Sequence, residues 1–251
     1  MNRSQPSLIT QLFDLILIQL SNFRWSWRGM LTSGIAAPLL SLLALGTFAR
    51  DSGPDVLAYV LTGNVVLALM FENLGKVSNN FAFMKAMGTL DYFATLPIHR
   101  YMVILASLIS FLILSLPALL VMLLVGSWFL RIHLVIHLLW PMVVVLTAVS
   151  LAALGALIGV TAPTPQAAGP TTLLLIMGFT ALGPVIIPPE RLPQFMRWIG
   201  WFSPATYAAS AMRQTLLGPV MPRLALDLLV LAGLTLITGW AASRKMDWRQ
   251  V

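Results

Sequence analysis

The sequence predicts an all-α membrane protein with six transmembrane helices and an N-terminal amphipathic helix lying in the membrane plane. Three observations carry that reading. Of the 251 residues, 59% are hydrophobic and only 9% charged, whereas a water-soluble domain hydrates its surface with about 25% charged residues. Mean hydropathy is +0.89. The apolar residues gather into six runs of 17–25 residues, close to the ~20 that cross a hydrocarbon core about 30 Å thick.

The N-terminal helix is expected over residues 6–28. Ile9, Phe13, Ile16, Leu20 and Phe23 recur at helical spacing, with Thr10, Gln11, Asp14, Ser21 and Asn22 largely on other sides. Arg24, Trp25, Trp27 and Arg28 follow, and indole rings with cations suit the headgroup layer. An ordinary turn leading into the first crossing is the alternative.

The crossings are expected at about 30–48, 56–75, 101–125, 138–160, 171–187 and 224–243. Pro38, Pro117, Pro141 and Pro184 fall inside four of them, which membrane helices tolerate when neighbours satisfy the freed carbonyls. Gly155-x-x-x-Gly159 offers a small-residue face for close helix packing, including packing between two chains. Cytoplasmic N- and C-termini put nine Lys and Arg inside and six outside, a modest positive-inside bias.

Two connectors carry more than a turn. The stretch 83–100, FMKAMGTLDYFATLPIHR, reads as a short amphipathic helix on the cytoplasmic side. Gly88 stops the preceding helix, Thr89 is expected to cap the new one, and Pro97 disfavours helix at Leu96. Leu90, Phe93, Ala94 and Pro97 fall on one side, Asp91 and Thr95 on another. A membrane protein needs such a piece when something on that side of the bilayer pushes on it. The connector 188–221 reads as two short outer helices joined at Ser203-Pro204, dipping partly into the membrane.

Other chemistry is excluded or weak. The net charge of +7 comes with no basic run or aromatic-basic interleaving of a nucleic-acid surface. With no cysteine there is no disulfide, thiolate metal site or Cys nucleophile. No cleavable leader is expected. The one Gly-Lys pair, Gly75-Lys76, lacks the upstream glycine of a phosphate-binding loop, so this chain does not hydrolyse ATP by that route. His133 and His137 are four apart and could share a helix face, but no carboxylate stands nearby in sequence to complete a metal site. Asn64, Glu72 and Asn73 are polar groups inside an apolar run and so candidates for a transport path. The plainer reading of Glu72 is an i,i+4 pair with Lys76, whose ammonium snorkels to the headgroups.

GTLDYFATLP and the later LPQFMRWIGWFSPATYAASAMRQTLLG resemble two signatures of the permease subunits of ABC type-2 exporters. The first resembles that family's cytoplasmic Gly-Thr-Leu-acid…Pro segment; the second resembles its Leu-Pro…Asn-Pro-x-Thr-Tyr-Ala…Arg…Gly stretch, with Ser203 in place of the Asn. The resemblance implies that Gly88, Thr89, Leu90, Asp91, Tyr92, Phe93, Ala94, Thr95, Leu96 and Pro97 couple to an ATPase. It implies that Pro204, Tyr207, Arg213 and Gly218 form the outer motif. It further implies two ABC ATPase subunits, with ATP and Mg on them and no cofactor on this chain, a second permease that is identical or a paralogue, and residence in the cell membrane. The coupling stretch is expected to seat Leu90, Phe93 and Ala94 on the ATPase, leaving Asp91 for a basic group there. Apolar spans favour an amphipathic or lipid-like cargo, drug compounds included, exported by alternating access. The alternatives are a polysaccharide exporter of the same family and a proton-coupled secondary transporter using Glu72.

Overall fold

Lipid offers no hydrogen bonds, so a spanning segment must satisfy its peptide groups within itself, and the regular structure among the described residues is helical throughout. The computed structural model describes residues 7–22 and 27–246. Arg24 and Trp25, and the side chains of Trp27 and Arg28, lie outside what is described.

Helix α1 (Leu8–Asn22) is followed by α2 (Trp27–Ala49). Next, α3 (Pro54–Leu69), a π-helical turn (Met70–Gly75) and α4 (Lys76–Ala86) run on as one continuous rod. Then come α5 (Thr89–Thr95), α6 (Arg100–Leu130), α7 (Trp140–Thr161) and α8 (Pro165–Ala181). The chain closes with α9 (Gln194–Gly200), α10 (Pro204–Leu217) and α11 (Arg223–Lys245).

Five of the described helical stretches are long and apolar enough to cross a membrane: Gly34–Ser52, Pro54–Ala86, Arg100–Leu130, Trp140–Thr161 and Arg223–Lys245. The run expected at 171–187 differs. Its helix covers Pro165–Ala181 and has 17 residues, while 182–187 form a turn. Pro165 sits in the first turn of α8 and Pro170 inside it, and the helix accommodates both. Pro184 lies in the turn, and Pro141 starts α7 rather than interrupting it. The run expected to end at Gly75 continues eleven residues further as α4.

Contacts between helix termini define two ends of the bundle. At one, Gly46 of α2 meets Phe129 and Leu130 of α6, and Gly63 of α3 meets Val185 and Ile186. At the other, Lys85 of α4 donates to the carbonyls of Val160 (2.9 Å) and Ala162 (3.2 Å), and Arg100 donates to the Ser243 carbonyl at 3.4 Å. Lys85 thus caps α7, satisfying carbonyls that a helix C-terminus leaves open. We call these the α10 end and the α5 end.

Helix α1 turns a stripe of Gln11, Leu15 and Gln19 inward. Gln19 donates to Ser107 Oγ of α6 at 3.0 Å. Ile9 and Phe13 are 81% and 60% exposed, so the helix buries amide groups in protein and turns apolar ones outward, an orientation that suits lipid.

The glycine face of α7 is used inside the chain. A Cβ at Gly155 would stand 2.6 Å from the Leu74 carbonyl oxygen, and one at Gly159 would stand 2.7 Å from Phe81 Cβ and overlap the Ser78 carbonyl. The expected packing between two chains through Gly155 and Gly159 is therefore corrected: α3–α4 already occupies that face. Gly159→Leu should force α7 off α4 and lower the thermal unfolding midpoint in detergent, an overpacking cost of about 1–3 kcal/mol. A wild-type midpoint would contradict this packing.

Candidate functional site

The site residues expected from the sequence fall in three places: α5, the polar middle of α3–α4, and the α9–α10 joint.

Helix α5 starts from Gly88, which takes the left-handed conformation (φ 70°) and makes no side-chain cap. Thr89 is the first helical residue, not the cap expected of it; the break comes from a conformation only glycine adopts freely. At the other end Leu96 is extended (ψ 151°), as the following proline requires. Leu90 and Phe93 are each 5% exposed. They belong to a core built with Phe81, Met84, Met102 and Val103. The expectation that Leu90, Phe93 and Ala94 face a partner is thus corrected: Leu90 and Phe93 hold α5 against α4 in the core that also takes in α6 residues, and Ala94 is only partly exposed. The free face carries Asp91, Tyr92, Thr95, Leu96 and Pro97, with Phe83 and Met87 exposed just before it.

The middle of the long helix holds an ion pair. Lys76 Nζ lies 2.5 and 2.6 Å from the two Glu72 oxygens. Glu72 sits in the π turn, and a Cβ at Gly34 would overlap its Oε1, so a residue without a side chain makes room for the carboxylate. The expected snorkelling of Lys76 to a helix end is corrected, because α4 continues ten residues beyond it and its side chain is 15% exposed. Asn73 and Asn64 are fully buried. Each donates to its own helix, to Leu69 O (3.1 Å) and Val60 O (2.8 Å), leaving both amide oxygens without a protein donor.

A buried charge that loses its partner costs several kcal/mol, whereas an uncharged pair of similar volume is tolerated. Lys76→Met should therefore destabilise by about 3 kcal/mol, and adding Glu72→Gln should recover most of that loss. Unfolding of the two variants in detergent measures both, and equal losses would contradict the pairing.

At the α10 end, Pro204 opens α10 and Ser203 before it donates to the Phe179 carbonyl at 3.4 Å. Tyr207 donates to the Trp201 carbonyl at 2.7 Å, which fixes the angle between α9 and α10. Arg213 lays its guanidinium 3.4 Å from the centre of the Tyr59 ring and donates to Thr62 Oγ1 at 3.0 Å. Desolvation pushes its pKa down to about 10, which leaves it charged at neutral pH. Gly218 ends α10 at φ 63°. Pro204, Tyr207 and Gly218 therefore shape the α9–α10 joint, Arg213 anchors α10 to α3, and Ser203 ties the joint to α8.

Sequence reasoning missed the network beside it. Gln214 bridges Asp227 Oδ2 (3.1 Å) and the Met221 amide (3.0 Å), with Arg223 Nε 3.9 Å from Asp227 Oδ1. Arg223 and Asp227 at i,i+4 were the available signal. His133 and His137 do not share a helix face, since residues 132–137 are irregular. Val135 and His137 donate backbone bonds to Leu216 and Thr215 at the end of α10. Among the described residues, no three metal-ligating side chains converge.

These features define a multi-pass helical membrane domain with a short helix packed across one end and a braced pair of helices at the other. The sequence model of the ABC-2 type transporter family matches residues 10–217; the chain belongs to that family, as a membrane component of such a transporter. Comparison with curated proteins gave no significant match.

Proposed function

We propose that this chain is the permease of an exporter in which ATPase subunits, with ATP and Mg bound to them, press on α5 from the cytoplasm. The observation that carries the reading is the two-sidedness of α5. Its inner residues Leu90 and Phe93 are fixed in the bundle, while Asp91 and Tyr92 stand free at the end. A helix seated this way passes a push directly into α4 and α6. ATPase partners are general to the family; two of them, joined with a second permease of the same or related sequence, give the alternating-access assembly. The α5 end then faces the cytoplasm in the cell membrane, and the α9–α10 joint lies on the outer side. Asn64, Glu72 and Asn73 remain candidates along the path.

The cargo that fits is amphipathic or lipid-like, drug compounds included. Many spanning hydroxyls donate back to their own helices, among them Ser107, Ser115, Thr235 and Thr238, while Ser78, Ser110, Thr147 and Ser150 are buried without a protein partner. That leaves few donors for the many hydroxyls of a polysaccharide.

Tyr92→Ala and Asp91→Lys touch only the free face, so folding and membrane insertion should persist. Retention of the ATPase on purification should fall about tenfold, as when an interface anchor worth more than 1 kcal/mol is removed. Phe93→Ala should act differently, lowering the stability of the permease alone by about 3 kcal/mol or more. Wild-type ATPase retention and transport in both Tyr92→Ala and Asp91→Lys would remove the coupling role.

A further inference from the structure

Positive charge gathers at the α5 end, where α6 starts beside the last turn of α11. Arg100 is the first residue of α6 and donates to the Ser243 carbonyl at 3.4 Å. Arg244 and Lys245 occupy the last turn of α11; both are exposed, and Arg100 is partly so. The ion pairs among the described residues are Glu72–Lys76 and Arg223–Asp227, so none of these cations has a carboxylate partner there. Asp91 on α5 pairs with none of them, and Lys85 is held by carbonyls at the end of α7. Past the described residues the sequence adds Asp247 and Arg249, one of each sign.

The open carbonyls of α11 do not account for this charge. A helix C-terminus carries only about half a negative charge, and Arg100, Arg244 and Lys245 together exceed it several times. Two of the cations are held in place with donors to spare. Arg244 lies 4.4 Å from the centre of the Trp240 ring, and stacking engages the face of a guanidinium while leaving its N–H edge open. Arg100 gives one hydrogen bond to Ser243 and keeps further N–H groups. The same side of α11 turns apolar towards the middle of the bundle. Trp240 and Leu236 fall at helical spacing before Ser243 and are 60% and 72% exposed. Along this stripe the order is cation, indole, then aliphatic side chain, which is the order of phosphate, interface and hydrocarbon in one leaflet.

We propose that the junction of α6 and α11 binds an anionic phospholipid of the surrounding membrane. Its phosphate sits among Arg100, Arg244 and Lys245, and an acyl chain lies along Trp240 and Leu236. A zwitterionic lipid balances its phosphate with its own ammonium group and so gains less from the three cations. The proposal goes beyond the exporter reading and needs neither its cargo nor its ATPase.

The test uses the full chain in a neutral detergent and scores bound lipid by native mass spectrometry. The probes are phosphatidylglycerol, phosphatidylcholine and inorganic phosphate. Phosphatidylglycerol should be retained in clear preference to phosphatidylcholine, and inorganic phosphate at the same concentration should not displace it. Combining Arg100→Gln, Arg244→Gln and Lys245→Gln should weaken phosphatidylglycerol about tenfold or more, from the loss of several cation–headgroup contacts. A charge-matched variant at the α10 end, Arg131→Gln with Arg191→Gln and Arg197→Gln, removes exposed cations and should bind as wild type. Trp240→Ala keeps every charge but takes away the ring under Arg244, and should weaken phosphatidylglycerol several-fold. These side chains lie at the surface, so the variants should fold. Equal retention of the two lipids, displacement by inorganic phosphate, or an equal loss in the charge-matched variant would each overturn the proposal. Wild-type affinity in the α6–α11 triple variant or in Trp240→Ala would overturn it as well.

Discussion

The close approach of α7 to the middle of α3–α4 is the contact on which the other packing depends. Lipid tails are as apolar as leucine, so helices in a membrane associate through shape and close contact rather than through exclusion of water. Gly155 and Gly159 let α7 come within van der Waals reach of the Leu74 and Ser78 carbonyls. Ala152, Ala153 and Ala156 on α7 are fully buried. The partner surface is the stretch where the rod changes to π winding, which brings Glu72 and Asn73 into the interior. A wide turn there frees carbonyl positions that small residues opposite can approach, and larger residues on α7 would push the rod away.

The position of α5 follows from that contact. The rod continues past the π turn to Ala86, and Lys85 ties its last turn to the end of α7. Gly88 then reverses the chain, and the core around Phe81, Met84, Met102 and Val103 receives Leu90 and Phe93. Two buried side chains, Leu90 and Phe93, seat α5 in this core, and Lys85 joins the last turn of α4 to the end of α7. The far end is braced by other means: Arg213 on Tyr59 and Thr62, and the Gln214–Asp227–Arg223 set joining α10 to α11.

Much of this architecture was legible because lipid imposes a length and a composition on every crossing. Apolar runs located most of the long helices, and Gly88 and Leu96-Pro97 bracketed α5. The errors have physical reasons. The rod runs on past Gly75 although Lys76, Asn79, Asn80 and Lys85 lower the hydropathy there, because the segment stays helical and packs against α7 and α8. The helix before the α9–α10 joint starts and ends earlier than its apolar run, because 182–187 is apolar yet forms a turn. The apolar face of α5 was found correctly, but periodicity shows which side is apolar and not which neighbour covers it.

The central claim is that α5 is anchored by its own chain on one side and offers the other to an ATPase. Because the chain contains no cysteine, single cysteines report each side cleanly. Maleimide labelling of Tyr92→Cys and Phe93→Cys in the otherwise wild-type chain is the most direct measurement. The account predicts that the Tyr92 position labels readily in the permease alone and is shielded once the ATPase is bound, while the Phe93 position resists labelling in both states. Equal labelling of the two positions in the permease alone, or a Tyr92 position that stays fully reactive in the assembled transporter, would contradict it.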